Sequence, residues 1–509
     1  MPTTGAKMTR RRFAPIDHNL IAFEPPFTIR VAEVRVDIAS AGAQGAKTVS
    51  YLFCCRLFRT DKFDWPYCRV NFWIFIRHAT VFLLARDLDS TGHTVRSKRR
   101  RSVTSEKPQA WRFAGAVALL AGTAFYFSTK AVHQNFDYTY RVALALLRGH
   151  VGLTGAPPSW LSEIVPVSGK YYSVFPLGAV LVNIPVALLR KIGLIHNWPA
   201  HELAAVLAAS CVFFFYRLSH VAEISRARRV LLSLFPMFAT WSWCNLGFAG
   251  AWQIALGFAL LGQAASLYYT LVRRNPLLAG AWFAVALGNR TELFLTLPFY
   301  IYFWLSRPAD NEGAASQTSE KWSRPHLLQI GKFLVIPAGL LLCTAIYNYS
   351  RFGSVIDFGY GRIPGLLKEP WYQHGLFSLH AIRWNAYEML FRGVLDLPNF
   401  PYLQPGAFGC SIFIASPFLF FLFREGGRRR AICWSAIGLL TFFLWCHGNA
   451  GGWQFSYRYA MILLPWMFLL VIENGPPALT ATETTLFIVS VLINGLAVYE
   501  FLWTNMIHP

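Results

Sequence analysis

Charge is scarce in this chain of 509 residues. Asp, Glu, Lys and Arg make up only 14% of it, against about 25% in a soluble average, so the composition argues against a water-soluble globular domain. Acids are scarcest: 25 Asp and Glu face 47 Lys and Arg, for a net charge of +22. The nine cysteines include no Cys-x-x-Cys and no His/Cys cluster with zinc spacing, so neither a metal module nor a redox motif is supported. Cys54, Cys55 and Cys68 leave a disulfide open, and the other six lie in or beside apolar segments as reduced filler. No apolar segment with a small-residue cleavage site follows the first arginines, so the N-terminus does not read as a secretory signal. No convincing internal repeat is found.

What remains is apolar: 55% of the residues are hydrophobic. Many runs approach the ~20 residues that cross a ~30 Å hydrocarbon core. They lie near 111–128, 201–217, 229–247, 250–271, 277–288, 293–306, 331–347, 405–423, 431–446, 459–472 and 485–504. The expected fold is therefore all-α, a polytopic transmembrane helical bundle of about eleven spans, with juxtamembrane helices outside the cytoplasm.

Half of the net charge, +11 from 20 Lys/Arg and 9 Asp/Glu, lies in the first 112 residues. This placement, with the rest on loops between spans, points away from nucleic acid as a partner. Residues 1–105 are basic, lack a clean span because Arg77 interrupts Phe72 to Leu84, and end in Ser97-Lys-Arg-Arg-Arg-Ser102. They read either as a poorly ordered cytoplasmic extension or as the product of a start site placed too far upstream; no methionine between Met8 and Met237 decides it. Residues 106–509 form the membrane domain. Its basic residues fall into four groups: Arg217, Arg226, Arg228 and Arg229; Arg273 and Arg274; Arg307, Lys321, Arg324 and Lys332; Arg424 with Arg428 to Arg430. The positive-inside rule puts all four in the cytoplasm of a multi-pass cytoplasmic (inner) membrane protein. Two spans separate successive groups, so the parity holds and the Asp137 loop lies outside. Parity also makes Val174 to Leu189, interrupted by Pro176, Gly178, Asn183 and Pro185, a juxtamembrane or re-entrant helix rather than a span.

Two outer segments are long enough to build a site. Ser128 to Ala200 carries Asp137 at the head of an amphipathic stretch, with Tyr140, Arg141, Arg148, Glu163, Lys170, Tyr171 and Tyr172. An acid at a helix N-terminus is held ionised by the helix dipole and can accept a proton; it can equally cap the helix. Asn348 to Gln404 is rich in aromatics, Gly and Pro, with His374, His380 and Arg383, and suits either stacking on a sugar or serving as a lid. Arg290 sits in Gly288-Asn-Arg-Thr-Glu292 between apolar arms too short to cross, so its turn dips below the outer surface. A cation there needs a partner, either a lipid phosphate or Glu292. Arg458 stands at the start of the run Tyr459 to Ile472, on the same side as Asp137 and Arg290. A base with two phosphate-binding cations is a constellation for glycosyl transfer.

The order of these elements resembles the GT-C glycosyltransferase superfamily, in particular bacterial members related to protein mannosyltransferases and aminoarabinose transferases. Asp137, Tyr140, Ala143 and Gly149 match the family's spaced acid, Tyr, Ala and Gly of the first outer loop. Gly169-Lys-Tyr-Tyr-Ser-Val-Phe-Pro-Leu-Gly178 matches a Gly-Lys-Tyr-Tyr-x-x-x-Pro-Pro-Gly element, with Leu177 in place of the second proline. Asn348 to Gly353 matches Asn-x-x-Arg-Phe-Gly, and Gly451 to Tyr459 a late Gly-Gly-x-x-x-Gly-x-Arg-Tyr element. The resemblance spans about residues 110–505. It implies an inverting transfer from a polyprenyl-phosphate sugar to a lipid, glycan or protein acceptor outside the membrane. In it Asp137 is the base, Arg290 and Arg458 bind the phosphate, and Lys170, Tyr171, Tyr172 and Tyr140 shape the substrate groove. Many members carry two adjacent acids where this chain has Asp137 followed by Tyr138, so the pattern supports no metal and the expected cofactor is none. A transporter or lipid flippase without covalent chemistry is the alternative, and a scaffold subunit that has lost catalysis is a third reading.

Overall fold

The computed structural model describes residues 108–129, 136–158, 161, 163–306, 324–504 and 506–507. The extension at 1–105, with Cys54, Cys55, Cys68 and the basic run to Ser102, lies outside the described residues, as do Arg307 and Lys321. The described chain is mostly helical. In order it runs through α1 (Pro108–Thr129), α2 (Tyr138–Leu146), the hairpin β1 (Ile164–Val167) and β2 (Lys170–Ser173), and the short α3 (Leu177–Leu181) and α4 (Ile184–Lys191). Next come α5 (Ala200–Leu218), α6 (Arg226–Phe238), α7 (Ala251–Leu271), α8 (Pro276–Asn289), α9 (Leu297–Leu305) and α10 (Arg324–Phe352). The last major helices are α11 (Ala381–Leu390), α12 (Arg430–Cys446), α13 (Leu464–Asn474) and α14 (Ala481–Val498).

Among the described residues, four helices are long and apolar enough to cross a membrane: Ala200–Val221, Ala251–Leu271, Arg324–Phe352 and Ala481–Trp503. Of the other runs, 111–128 is an unbroken helix of 22 residues outside this group, and several are shorter: Pro276–Asn289, Thr291–Leu305 and Arg430–Cys446. Val174 to Leu189 becomes α3 and α4, of 5 and 8 residues, neither able to span. The arms around Arg290 are α8, of 14 residues, and a 3-10 turn (Thr291–Thr296) leading into α9, of 9. Large apolar side chains face outward along the helices, including Leu119, Leu120, Leu342, Ile346 and Leu492. Apolar exposure repeated over several helices is compatible with a surface that meets lipid.

Glycines let the helices meet closely. A Cβ at Gly262 of α7 would lie 2.6 Å from the Ala286 backbone nitrogen of α8, and one at Gly280 of α8 would lie 2.0 Å from the Phe333 carbonyl oxygen of α10. Small residues that bring backbones together are how helices gain packing where no hydrophobic effect drives them. On the site side, Gly178 of α3 abuts Gly288 of α8, which fixes the first outer segment against the Arg290 turn.

Charged residues gather towards opposite ends of the helices, while some buried polar side chains such as Gln263 and Ser490 lie within them. At one end Arg273 lies within electrostatic reach of Arg217, Arg424 of Arg228, and Arg429 of Arg274. Arg228 is fully buried there: its Nε donates to both Glu483 carboxylate oxygens at 3.1 and 3.2 Å, and its terminal nitrogens donate to the Val471 and Ile472 carbonyls. Arg424 donates to the same Glu483 at 3.0 Å, and Glu483 closes the capping box of α14 with Thr480. The other end, where α7 begins and α8, α10 and α12 finish, carries the two outer segments. Their apolar side chains form one cluster, including Tyr138, Ile164, Val165 and Tyr172 from the first with Ile363 and Tyr372 from the second.

Candidate functional site

The first segment is held in place by local geometry. Ser168 and Gly169 have φ of 48° and 76° between the paired Val167 and Lys170, the two positive values that a tight two-residue hairpin requires. The hairpin carries Tyr172 inward onto Phe352, ring centroids 5.9 Å apart. The second segment grips it through Asn348 and Arg351. Arg351 donates to the Asn348 side chain at 2.6 Å and to the Ser173 carbonyl, its guanidinium lies 3.8 Å from the Tyr347 ring centroid, and Gly353 leaves the helix at φ 71°. The Asn-x-x-Arg-Phe-Gly run is thus a clamp between segments.

Asp137 occupies the N-cap position of α2, yet its side chain makes no cap hydrogen bond. It accepts from Arg141 Nε at 2.7 Å instead. Its neighbours Phe136 and Tyr138 pack on Trp252, centroids 5.0 and 5.1 Å away. The Trp252 indole N–H donates to Glu163 Oε2 at 2.5 Å. Glu163 and Asp137 are the two acids of the first segment; Trp252 donates to the first and packs on the neighbours of the second.

Arg290 and Arg458 come together around one ring: each guanidinium carbon lies 5.1 Å from the centroid of Tyr459. Arg290 keeps the competing partner the sequence offered, Glu292, at 2.9 Å. Arg458 donates to the Gly452 carbonyl at 3.2 Å and the Tyr459 hydroxyl at 3.3 Å, while its Nε is buried with no hydrogen-bond partner among the described residues. A buried donor left open costs free energy unless something fills the site. The loop behind Arg458 is built for its position: Gly451, Trp453 and Ser456 all have positive φ, and the Tyr457 hydroxyl donates to Asn385 of α11 at 2.8 Å.

Around these arginines stand Tyr360, Tyr372 and His447, with ring centroids of His447 6.2 Å from each tyrosine and 5.8 Å from Tyr459. Burial pushes the Glu163 carboxyl up to about 7; the Trp252 N–H and the Arg458 cation pull it down, and Glu369 pushes it up again. Burial also pushes the Tyr372 phenol up to about 12. Burial holds the His447 imidazole below its ordinary range; the Asn449 carbonyl opposes this and the Arg290 cation adds to it.

The chain matches no protein-family model, no curated protein and no solved structure. The geometry therefore stands by itself. Among the described residues, no three His, Cys, Asp or Glu side chains gather as a metal-binding group. Of the residues singled out from sequence, Arg290 and Arg458 meet. Asp137 pairs with Arg141, and its neighbours Phe136 and Tyr138 pack on Trp252, the donor to Glu163. Lys170 is exposed beside the hairpin turn, Tyr171 bridges Leu153 across the backbone, and Tyr172 is part of the apolar cluster. Tyr140 is buried and stacks on Trp198 at 6.1 Å. Glu163, Tyr360, Tyr372, His447 and Tyr459 complete the site. For Glu163 a signal existed, since acids are so rare in its segment; for the aromatics, scattered among 21 tyrosines, none did. A pair of cations, a carboxylate that can hold or release a proton near neutral pH, and a wall of aromatic rings can bind a phosphorylated sugar and manage one proton.

Proposed function

We propose that the protein is a membrane glycosyltransferase that moves a sugar from a polyprenyl-phosphate donor to a hydroxyl on a lipid, glycan or protein acceptor, with inversion, on the extracytoplasmic side of the cytoplasmic membrane. The observation that carries this reading is the meeting of Arg290 and Arg458 at Tyr459 with Glu163 alongside. The acceptor oxygen attacks the anomeric carbon, the bond to the phosphate oxygen breaks, and the departing lipid phosphate gains charge that the two guanidiniums stabilise. Preorganised charge of this kind is usually the largest catalytic contribution.

The hydroxyl proton goes to a carboxylate of the first segment. The loop pattern singles out Asp137, and the geometry favours Glu163. Asp137 is committed to Arg141, whereas a carboxyl whose pKa is raised to about 7 is matched to the working pH of a general base. The helix-end location of these groups argues against a transporter, whose substrate site belongs near mid-membrane between repeats.

The test is transfer of label from a panel of radiolabelled polyprenyl-phosphate sugars to a membrane-lipid extract by the purified, detergent-solubilised protein. Wild type should transfer, Arg458→Gln should not, and Glu163→Gln should lose more activity than Asp137→Asn. Folded wild-type protein that transfers nothing from an adequate panel would return the reading to a transporter or scaffold.

A further inference from the structure

A second site lies between α2 and α4, and the transfer chemistry does not use it. A cavity of about 250 Å³ is lined by Leu144, Leu147, Arg148, Arg190 and Lys191. Arg148 follows the last turn of α2, and Arg190 and Lys191 form the last turn of α4. All three cations are exposed, and among the described residues none of their side chains has a hydrogen bond or ion pair. Three like charges around one cavity repel one another. The C-terminal dipole of a short helix such as α4 offsets this only in part.

The basic groups of the cytoplasmic-type loops do not explain these cations. α5 begins at Ala200, nine residues after Lys191, and its 19 residues carry the chain about 28 Å before Arg217 joins the opposite, arginine-rich end. The groove therefore sits at the end of the bundle that also carries Arg290 and Arg458, away from the arginine-rich end. Its surroundings are apolar and open: Leu181, Leu188, Leu189, Ile192 and Leu194 are all exposed. Helices with apolar side chains beside Lys and Arg lie in the membrane interface. A soluble anion would use the cations and leave the leucines in water; a lipid uses both.

We propose that this groove binds the headgroup of an anionic phospholipid. Arg148, Arg190 and Lys191 donate charge-assisted hydrogen bonds to the phosphodiester. Leu144 and Leu147, on one face at i and i+3, meet the glycerol and first methylenes, and the acyl chains run along the exposed leucines of α3 and α4. Bound lipid would pin the first outer segment to the bilayer. The site is independent of the transfer reading and stands or falls separately.

The experiment is native mass spectrometry of the full chain released from detergent, with phosphatidylglycerol, phosphatidylcholine, a polyprenyl phosphate and inorganic phosphate titrated in turn. Wild type should retain one phosphatidylglycerol in preference to phosphatidylcholine, and inorganic phosphate should not displace it. At about fivefold per cation near an anionic lipid, the combined Arg148→Gln, Arg190→Gln, Lys191→Gln variant should bind it roughly a hundredfold more weakly. An Arg226→Gln, Arg273→Gln control at the other end should bind it as wild type does. Should the triple variant fail to fold, the single reversal Arg190→Glu carries the test, with at least a tenfold loss expected. Equal retention of the two phospholipids, displacement by inorganic phosphate, tighter binding of the polyprenyl phosphate, or equal losses in variant and control would each overturn the proposal.

Discussion

Replacing Glu163 by Gln should make the protein more stable and less active at once. In the folded protein burial pushes the carboxyl from its ordinary 4.5 up to about 7. Below pH 4.5 both folded and unfolded chains hold the proton, and the residue costs nothing. As pH rises from 4.5 to 7 the unfolded chain releases the proton freely while the folded chain retains it, so stability falls; above 7 the loss is complete. By linkage that gap amounts to about 3 kcal/mol. A glutamine keeps an oxygen for the Trp252 indole but cannot ionise, so it escapes the fall. Melting of the two proteins in detergent should therefore coincide near pH 4.5 and diverge towards pH 8, where the variant melts several degrees higher. Transfer should drop by 10² to 10⁴, about the range general base catalysis supplies, and wild-type activity should climb with pH to a plateau above 7. A stability difference that is constant from pH 4.5 to 8.5 would refute the reasoning, because it would mean Glu163 does not titrate in that window.

Arg458→Lys should reduce kcat by about 10², since a lysine supplies a point charge without the guanidinium fork; single-turnover transfer measures it, and full activity would remove Arg458 from the phosphate site. Glu483→Gln should destabilise by about 3–5 kcal/mol, leaving Arg228 buried and facing a neutral amide; a thermal midpoint unchanged from wild type would count against the buried triad. Gly280→Val should prevent α8 from seating on α10, because the contact atom is backbone at 2.0 Å from the first added carbon and overpacking on this scale costs about 1–3 kcal/mol or more. Loss of the monodisperse peak in size-exclusion chromatography reports it.

Much of the layout is legible in the sequence. The amphipathic run after Asp137 is the helix Tyr138–Leu146, the break at Arg290 is where α8 ends, and the interrupted run from Val174 is two short helices. Each of these follows from local chemistry: apolar spacing, a missing backbone donor at proline, a glycine where the chain must turn. Tyr171 and Tyr172 show where local pattern stops. As a pair beside Lys170 they suggested a substrate groove, but their strand alternation sends Tyr172 into the apolar cluster, and Tyr171 bonds through its backbone to Leu153. Glu163 was visible as a rare acid, but its partner Arg458 is 295 positions away, and no spacing rule connects them.

The sequence alone determined that this is a helical chain whose apolar helices are compatible with a membrane, with much of its charge gathered in loops, because hydropathy and turn residues act over a few neighbours. Tertiary structure decided which polar residues meet. Glu163 lies within electrostatic reach of Arg458, Arg290 and Arg458 share Tyr459, and Arg228 finds Glu483, because glycine-lined helix contacts set the register between segments hundreds of residues apart. A buried charge is tolerated only where that register supplies its partner.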